Sequence, residues 1–181
     1  QVYNVYCIDL LDREEMAVMN AIPTAEGAIQ IAIEEMPITL HDCNALVLGY
    51  GRVGKTLSKL LSGIGANVYA EARRYSDLAW IKSNRYKPVY INEIADYLPE
   101  MDLIINTIPS LILDTDMLNR IGKDCLIIDL ASKPGGVDFE KAKILGIKTV
   151  WALSLPGKVA PVTAAKFIKE TVYNIIDELG V

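Results

Sequence analysis

Apolar residues along the chain fall into two alternating rhythms: short unbroken runs, and longer stretches in which they recur at three- and four-residue spacing. The runs are Ala45-Leu46-Val47-Leu48, Asn67 to Ala72, Pro88 to Ile91, Leu103-Ile104-Ile105, Leu126-Ile127-Ile128 and Lys148 to Ala152. A run without polar alternation is what a parallel strand buried on both faces requires. Between them lie helical segments at about 75–85 and 138–145, and a clearer one carrying Val53, Leu57, Leu60, Leu61 and Ile64 and ending at Gly65. Strand and helix alternating at this spacing predict an α/β fold: a Rossmann-type doubly wound parallel sheet in the order 3-2-1-4-5-6, with flanking helices at its junctions.

The flanks read differently. Residues 1 to about 22 show no clean periodicity and look like the tail of a preceding element. A helix is expected to open at Pro23-Thr24, with Thr24 as its cap and Glu26 in the first turn. Its apolar face would be Ala28, Ile29, Ala32, Ile33 and Met36, and Pro37 its stop. The last helix, about 162–179, carries Phe167, Ile168, Val172, Ile175, Ile176 and Leu179, closes at Gly180, and is expected to pack back on the sheet. The expected organisation is a tail and connecting helix over 1–40 from a mostly absent N-terminal domain, a nucleotide-binding domain over 41–155, and a C-terminal helix over 156–181. Gln1 in place of an initiator methionine fits that expectation.

Composition narrows the class. The chain is 51% hydrophobic and 23% charged, ordinary for a soluble enzyme, and its formal net charge of −5 argues against a nucleic-acid binder. Cys7, Cys43 and Cys125 share no metal-type spacing and read as reduced, mostly buried thiols. With no leader and no apolar run of membrane-spanning length, a cytoplasmic protein is expected.

The sharpest motif is Gly49-Tyr50-Gly51-Arg52-Val53-Gly54, placed between a buried strand and an amphipathic helix. Gly49 allows the tight turn, Gly51 lets the backbone approach a pyrophosphate, and Gly54 lets helix and strand lie close. Arg52 and Val53 open the helix, whose free N–H groups favour phosphate. In NAD-selective domains an acid about 20 residues on accepts a hydrogen bond from the adenosine ribose. Set against the pattern usual in 2-hydroxyacid dehydrogenases, that position falls on Ala72, followed by Arg73 and Arg74. Two guanidinium groups suit a 2′-phosphate, so NADP is expected, with NAD possible through Glu71, one residue earlier and facing the other side of the strand.

Three further segments reach the carboxyl edge of the sheet, where ligands of such folds sit. Thr107, Ile108 and Pro109 are expected to flank the nicotinamide side of the cofactor. Ser132, Lys133 and Lys158 are candidates to meet substrate carboxylates. Thr24 and Glu26 on the junction helix, with Ser110, are the substrate-side candidates for proton transfer, a role the N-terminal domain could supply instead. No residue declares itself as the proton-transfer group.

Taken in order, the segments Asn20 to Ile29, the glycine loop, Ile105 to Ser110, Asp129 to Gly136 and Leu155 to Ala165 resemble the A subunit of dipicolinate synthase, the enzyme of endospore formers. The resemblance covers nearly all of residues 20–175. It implies a two-domain protein whose C-terminal half binds the nicotinamide nucleotide, with the dipicolinate synthase B subunit as its partner. It also implies a reaction yielding pyridine-2,6-dicarboxylate from a small dicarboxylate. Two positions depart from the family: Glu71, where a small residue is usual, and Lys133, where arginine is expected. An alternative is 2-hydroxyacid dehydrogenase chemistry, which needs a late histidine acid/base, whereas the only histidine is His41. A nucleotide-sensing module without chemistry is the other alternative.

Overall fold

The computed structural model describes residues 7–180. The six strands are β1 (Asn44–Leu48), β2 (Asn67–Ala72), β3 (Lys87–Tyr90), β4 (Leu103–Asn106), β5 (Leu126–Asp129) and β6 (Lys148–Trp151). All pair in parallel, in the order β3-β2-β1-β4-β5-β6. The expected sheet is therefore present, with strand ends within a residue of those predicted.

Among the described residues eight α-helices accompany it: α1 (Glu14–Glu35), α2 (Arg52–Ile64), α3 (Tyr75–Ser83), α4 (Ile94–Tyr97), α5 (Thr115–Leu118), α6 (Phe139–Leu145), α7 (Leu155–Val159) and α8 (Pro161–Leu179). Alternation along each strand splits the core in two. Ala45, Val47, Leu103, Ile105, Leu126 and Ile128 face α1 and α2. Leu46, Leu48, Ile104 and Ile127 face the shorter helices, meeting Ile94, Leu98, Leu113, Leu118 and Ala142. Both faces being covered, the inner strands β1, β2, β4 and β5 carry no solvent-facing polar row and read as nearly continuous apolar runs, whereas the edge strands β3 and β6 are partly exposed.

The flanks require correction. The first helix begins at Glu14, not at Thr24, and Pro23 sits buried in its interior. Proline there removes only the N–H that would reach the Met19 carbonyl. At the next residue, the Thr24 hydroxyl donates to the Asn20 carbonyl at 2.7 Å, so Thr24 is an interior residue and not a cap. The buried stripe is Ala21, Ala25, Ala28 and Ala32, whose small side chains let α1 lie close over α2 and α7, while Ile33 faces solvent. At the other end, Met36 is extended before Pro37 and ends the helix as expected.

The last helix does not reach the sheet. That face is already covered by α1 and α2, so α8 lies on α1 and α7, burying Thr171 and Ile175 and leaving Ile168, Val172, Ile176 and Leu179 exposed. Arg13 fixes its far end through a pair of hydrogen bonds to Glu178 at 2.7 and 2.8 Å. By length and mean hydropathy α1 reaches the range of a membrane span, contrary to the expectation from apolar runs alone, but it serves here as a packed helix of the core.

Candidate functional site

The carboxyl ends of β1 and β4 lie side by side where the chain reverses its order of adding strands, so the loops after them part and leave a crevice. A cavity of about 620 Å³ occupies it. Its walls come from the glycine loop (Gly49, Tyr50, Gly51), from Lys55 in the first turn of α2, from the end of β2 and the start of α3 (Glu71 to Arg74, and Asp77), from Ile91, and from the segment after β4 (Thr107 to Ser110, and Ile112).

The glycine loop is shaped by what surrounds it. Gly49 has φ +92°, and a Cβ there would fall 2.5 Å from Thr107 Oγ1. That hydroxyl is held in place, donating to the Leu48 carbonyl at 2.8 Å, and the Thr107 N–H donates to the same oxygen at 2.9 Å. A Cβ on Gly54 would strike the carbonyl oxygen of Gly49, so α2 can start this close to the strand only with glycine there. Above Gly51 the space is open, as backbone approach by a phosphate requires. Arg52 and Val53 begin α2, and the Arg52 guanidinium pairs with Glu14 of α1 at 2.9 Å on the surface.

Glu71 departs from the sequence-based expectation. It does stand on the sheet face opposite Ala70 and Ala72, as strand alternation demands, yet it borders the cavity. Its Oε2 accepts the Gly49 N–H at 3.0 Å, and its Oε1 is buried with no partner among the described residues. The residue is only 1% exposed, and burial pushes its carboxyl above the ordinary range against the opposing pull of the Gly49 N–H and Arg73. Arg73 and Arg74 are exposed at the cavity rim and make no ion pair among the described residues. An open glycine loop, two free guanidinium groups and an orphaned buried acceptor fit the phosphates and adenosine ribose of a dinucleotide.

The segment after β5 is built around a buried carboxylate that sequence reasoning did not single out. Asp129 Oδ1 accepts from Asn106 Nδ2 at 2.8 Å and from the Ala131 N–H at 3.0 Å, and Oδ2 accepts the Gly136 N–H at 2.8 Å. Asn106 in turn bonds both the carbonyl and the N–H of Ile108, at 3.0 and 3.1 Å. The pair thereby locks the loops after β4 and β5 together. Its signal in the sequence is a polar residue ending each of two apolar strands at paired register.

The remaining candidates are dispersed. Ser110 lines the cavity, with Thr107, Ile108 and Pro109, whereas Ser132, Lys133 and Lys158 are exposed and stand outside its lining. Thr24 and Glu26 lie on α1 and also stand outside it, the Thr24 hydroxyl being spent within the helix. His41 precedes β1, at the opposite edge of the sheet from the crevice, with Nδ1 3.2 Å from the Ile64 carbonyl oxygen. Cys43 and Cys125 are buried and their thiols are pushed up to about 11 and about 12, while Cys7 is exposed.

Known proteins share this arrangement. Residues 22–133 match the family described as D-isomer specific 2-hydroxyacid dehydrogenase, NAD binding domain. The chain is 39% identical over 172 residues to the dipicolinate synthase A subunit of Bacillus subtilis, covering 95% of this chain and 58% of that protein. The crystal structure of that B. subtilis protein superposes with a TM-score of 0.94 over 96% of this chain and 58% of that one, at 39% identity. The A subunit from Bacillus halodurans gives 0.91 at 39% identity, over 93% of this chain and 58% of that one. A transhydrogenase from Sinorhizobium meliloti, 19% identical, shares the fold with a TM-score of 0.80, over 92% of this chain and 57% of that one. The chain thus spans little more than half the length of these relatives, and the resemblance to the dipicolinate synthase A subunit read from its motifs holds over almost its whole extent. With the glycine loop, the crevice and the strand order all in place, it belongs to the 2-hydroxyacid dehydrogenase NAD-binding domain family.

Proposed function

We propose that the chain is the nucleotide-holding part of a dipicolinate synthase A subunit, and that its dinucleotide is NADP. The observation that carries the cofactor choice is the pair Arg73 and Arg74, free of ion pairs among the described residues and standing at the rim of the crevice where β2 ends. Arginine grips a phosphate through two parallel hydrogen bonds, and Ala72 leaves room for it. Gly51 and the start of α2 would hold the pyrophosphate, and Thr107, Ile108 and Pro109 would flank the nicotinamide.

In this reading the substrate is a dihydropyridine dicarboxylate formed by dehydration of 4-hydroxy-tetrahydrodipicolinate. It loses a hydride and a proton and becomes the aromatic pyridine-2,6-dicarboxylate. The nicotinamide, when bound, supplies the hydride acceptor. Aromatisation supplies driving force, so the protein's work is to orient the reacting C–H and grip two carboxylates. Ser110, inside the cavity, and Lys133, on the loop after β5, are the residues of this chain proposed for the substrate side. The B subunit as partner and a cytoplasmic location in a sporulating cell belong to the same proposal. The absence of any histidine at the carboxyl edge speaks against 2-hydroxyacid oxidation, since that chemistry needs a positioned acid/base there.

Glu71 favours a second reading, in which NAD is preferred. Its unpartnered Oε1 is an acceptor for a ribose hydroxyl, and its charged form would repel a 2′-phosphate. Arg73→Ala separates the two. Loss of a charge-assisted phosphate contact should weaken NADP(H) by about 1.5–3 kcal/mol and leave NAD(H) nearly unchanged. Equal losses for both dinucleotides would rule out a 2′-phosphate contact at Arg73.

A further inference from the structure

We propose that a second cavity, between α2 and α3, is a binding site for a planar aromatic carboxylate. It has a volume of about 420 Å³ and is lined by Tyr50, Lys55, Lys59, Trp80, Asn84 and Tyr86. Tyr50 and Tyr86 pack on the small core cluster of Ala70, Ala72 and Ile81, Tyr86 also touching the α1–α2 side of the core, whereas Lys55, Lys59, Trp80 and Asn84 take part in none of the buried clusters.

The lining has two kinds of wall. On α2, Lys55 and Lys59 stand one turn apart on the same side of the helix, both exposed and neither in an ion pair among the described residues. On α3, Trp80 is 63% exposed, an extent that a core-filling indole would not show. Asn84, one turn on, is fixed by a hydrogen bond to the Trp80 carbonyl at 2.8 Å. Tyr50 forms part of the floor, with the Lys55 ammonium 5.6 Å from its ring centre. Burial raises the hydroxyls of Tyr50 and Tyr86, which keeps both as neutral donors. Asp77, the acid that bears on the Tyr50 hydroxyl, lines the crevice and not this cavity.

Two unpaired ammonium groups select an anion, and an exposed indole sharing the lining with two tyrosines selects a flat π surface. Two positive charges one turn apart suit carboxylates held on a rigid ring better than a single mobile one. Lys55 borders both cavities, so an anion here shares a cation with the dinucleotide crevice. If the function proposed above holds, the reaction's product belongs to this ligand class and would report its own accumulation at the glycine loop. That last step rests on the proposed function, whereas the site itself does not.

The test uses the chain labelled with ¹⁵N and titrated with pyridine-2,6-dicarboxylate, following its two tryptophan indole signals, assigned by Trp80→Phe. The Trp80 signal should move saturably while that of Trp151 stays still, and cyclohexane-1,3-dicarboxylate should bind at least tenfold more weakly. Lys59→Ala should weaken the aromatic probe at least tenfold and leave dinucleotide affinity within about twofold of the parent. A still Trp80 signal at millimolar probe, equal binding of the saturated ring, or an unchanged Lys59→Ala titration would each overturn the site. Parallel loss of dinucleotide affinity in Lys59→Ala would make the cavity an extension of the crevice and overturn it as well. Dinucleotide binding by the parent chain is read separately, so failure of this site leaves the cofactor reading standing.

Discussion

The carboxyl edge of the sheet is built in two ways. Beyond β1, β2 and β4, polar groups are left over among the described residues: Glu71 Oε1 has no partner, Arg73 and Arg74 have no counter-ion, and the space above Gly51 is open. Around the end of β5, polar groups are used up. Asp129 and Asn106, the latter at the end of β4, are fully buried, bond each other and take their other hydrogen bonds from the neighbouring loops. Trp151 Nε1 of β6 donates to the Ala131 carbonyl at 3.0 Å. Leftover hydrogen-bonding capacity in a crevice marks a place for a ligand, since buried polar groups otherwise find partners. Consumed capacity marks scaffolding. The second region sets where the loop carrying Ser132 and Lys133 runs, and those side chains project from it into solvent.

Removing the scaffold's centre should have the largest effect. Asp129→Ala leaves the Ala131 and Gly136 N–H groups and an Asn106 amide proton without their acceptor, and should cost on the order of 3–5 kcal/mol of stability. Urea unfolding measures that loss. If the two regions are independent, dinucleotide affinity under folding conditions should fall by no more than about threefold. A loss of tenfold or more would join them.

Gly54→Ala is the opposite experiment. The added methyl meets the Gly49 carbonyl, so the loop must shift, at about 1–3 kcal/mol. Here dinucleotide affinity should drop at least tenfold while the β5 loop stays intact. Unaltered binding by calorimetry would show that phosphate is held elsewhere.

The smallest effect concerns Glu71. Because burial raises its carboxyl in the folded protein, the proton is held more tightly there than in the unfolded chain. The stability linked to it is complete below the unfolded pKa and is lost as pH rises through the folded value. Glu71→Gln removes this loss, so its urea midpoint should gain on the parent's progressively as pH rises from the ordinary glutamate range through the raised folded value. A constant difference across that range would contradict the assigned burial penalty.

The sheet was legible because the inner strands β1, β2, β4 and β5 are buried on both faces, which an almost uninterrupted apolar run satisfies, while β3 and β6 at the edges were placed by the spacing of the alternation. The glycine loop was legible because Gly49 and Gly54 are required by steric contacts that no other residue tolerates. The start of α1 was not, because its buried stripe is alanine, which carries a weak hydrophobic signal, and Pro23 imitates a helix start. Contacts of Glu71, Asn106 and Asp129 join elements far apart in the chain. Strand alternation placed Glu71 on the correct face, but the turn at Gly49 brings an N–H to that face, and no local pattern records it.

If the crevice beside the glycine loop holds a nicotinamide dinucleotide with NADP preferred, titration calorimetry of the chain with NADP⁺ and NAD⁺ in turn will show it. The expected result is saturable binding of one molecule per chain, tighter for NADP⁺ than for NAD⁺. Tighter NAD⁺ would hand the selection to Glu71, and no heat from either dinucleotide at millimolar concentration would contradict a dinucleotide site outright.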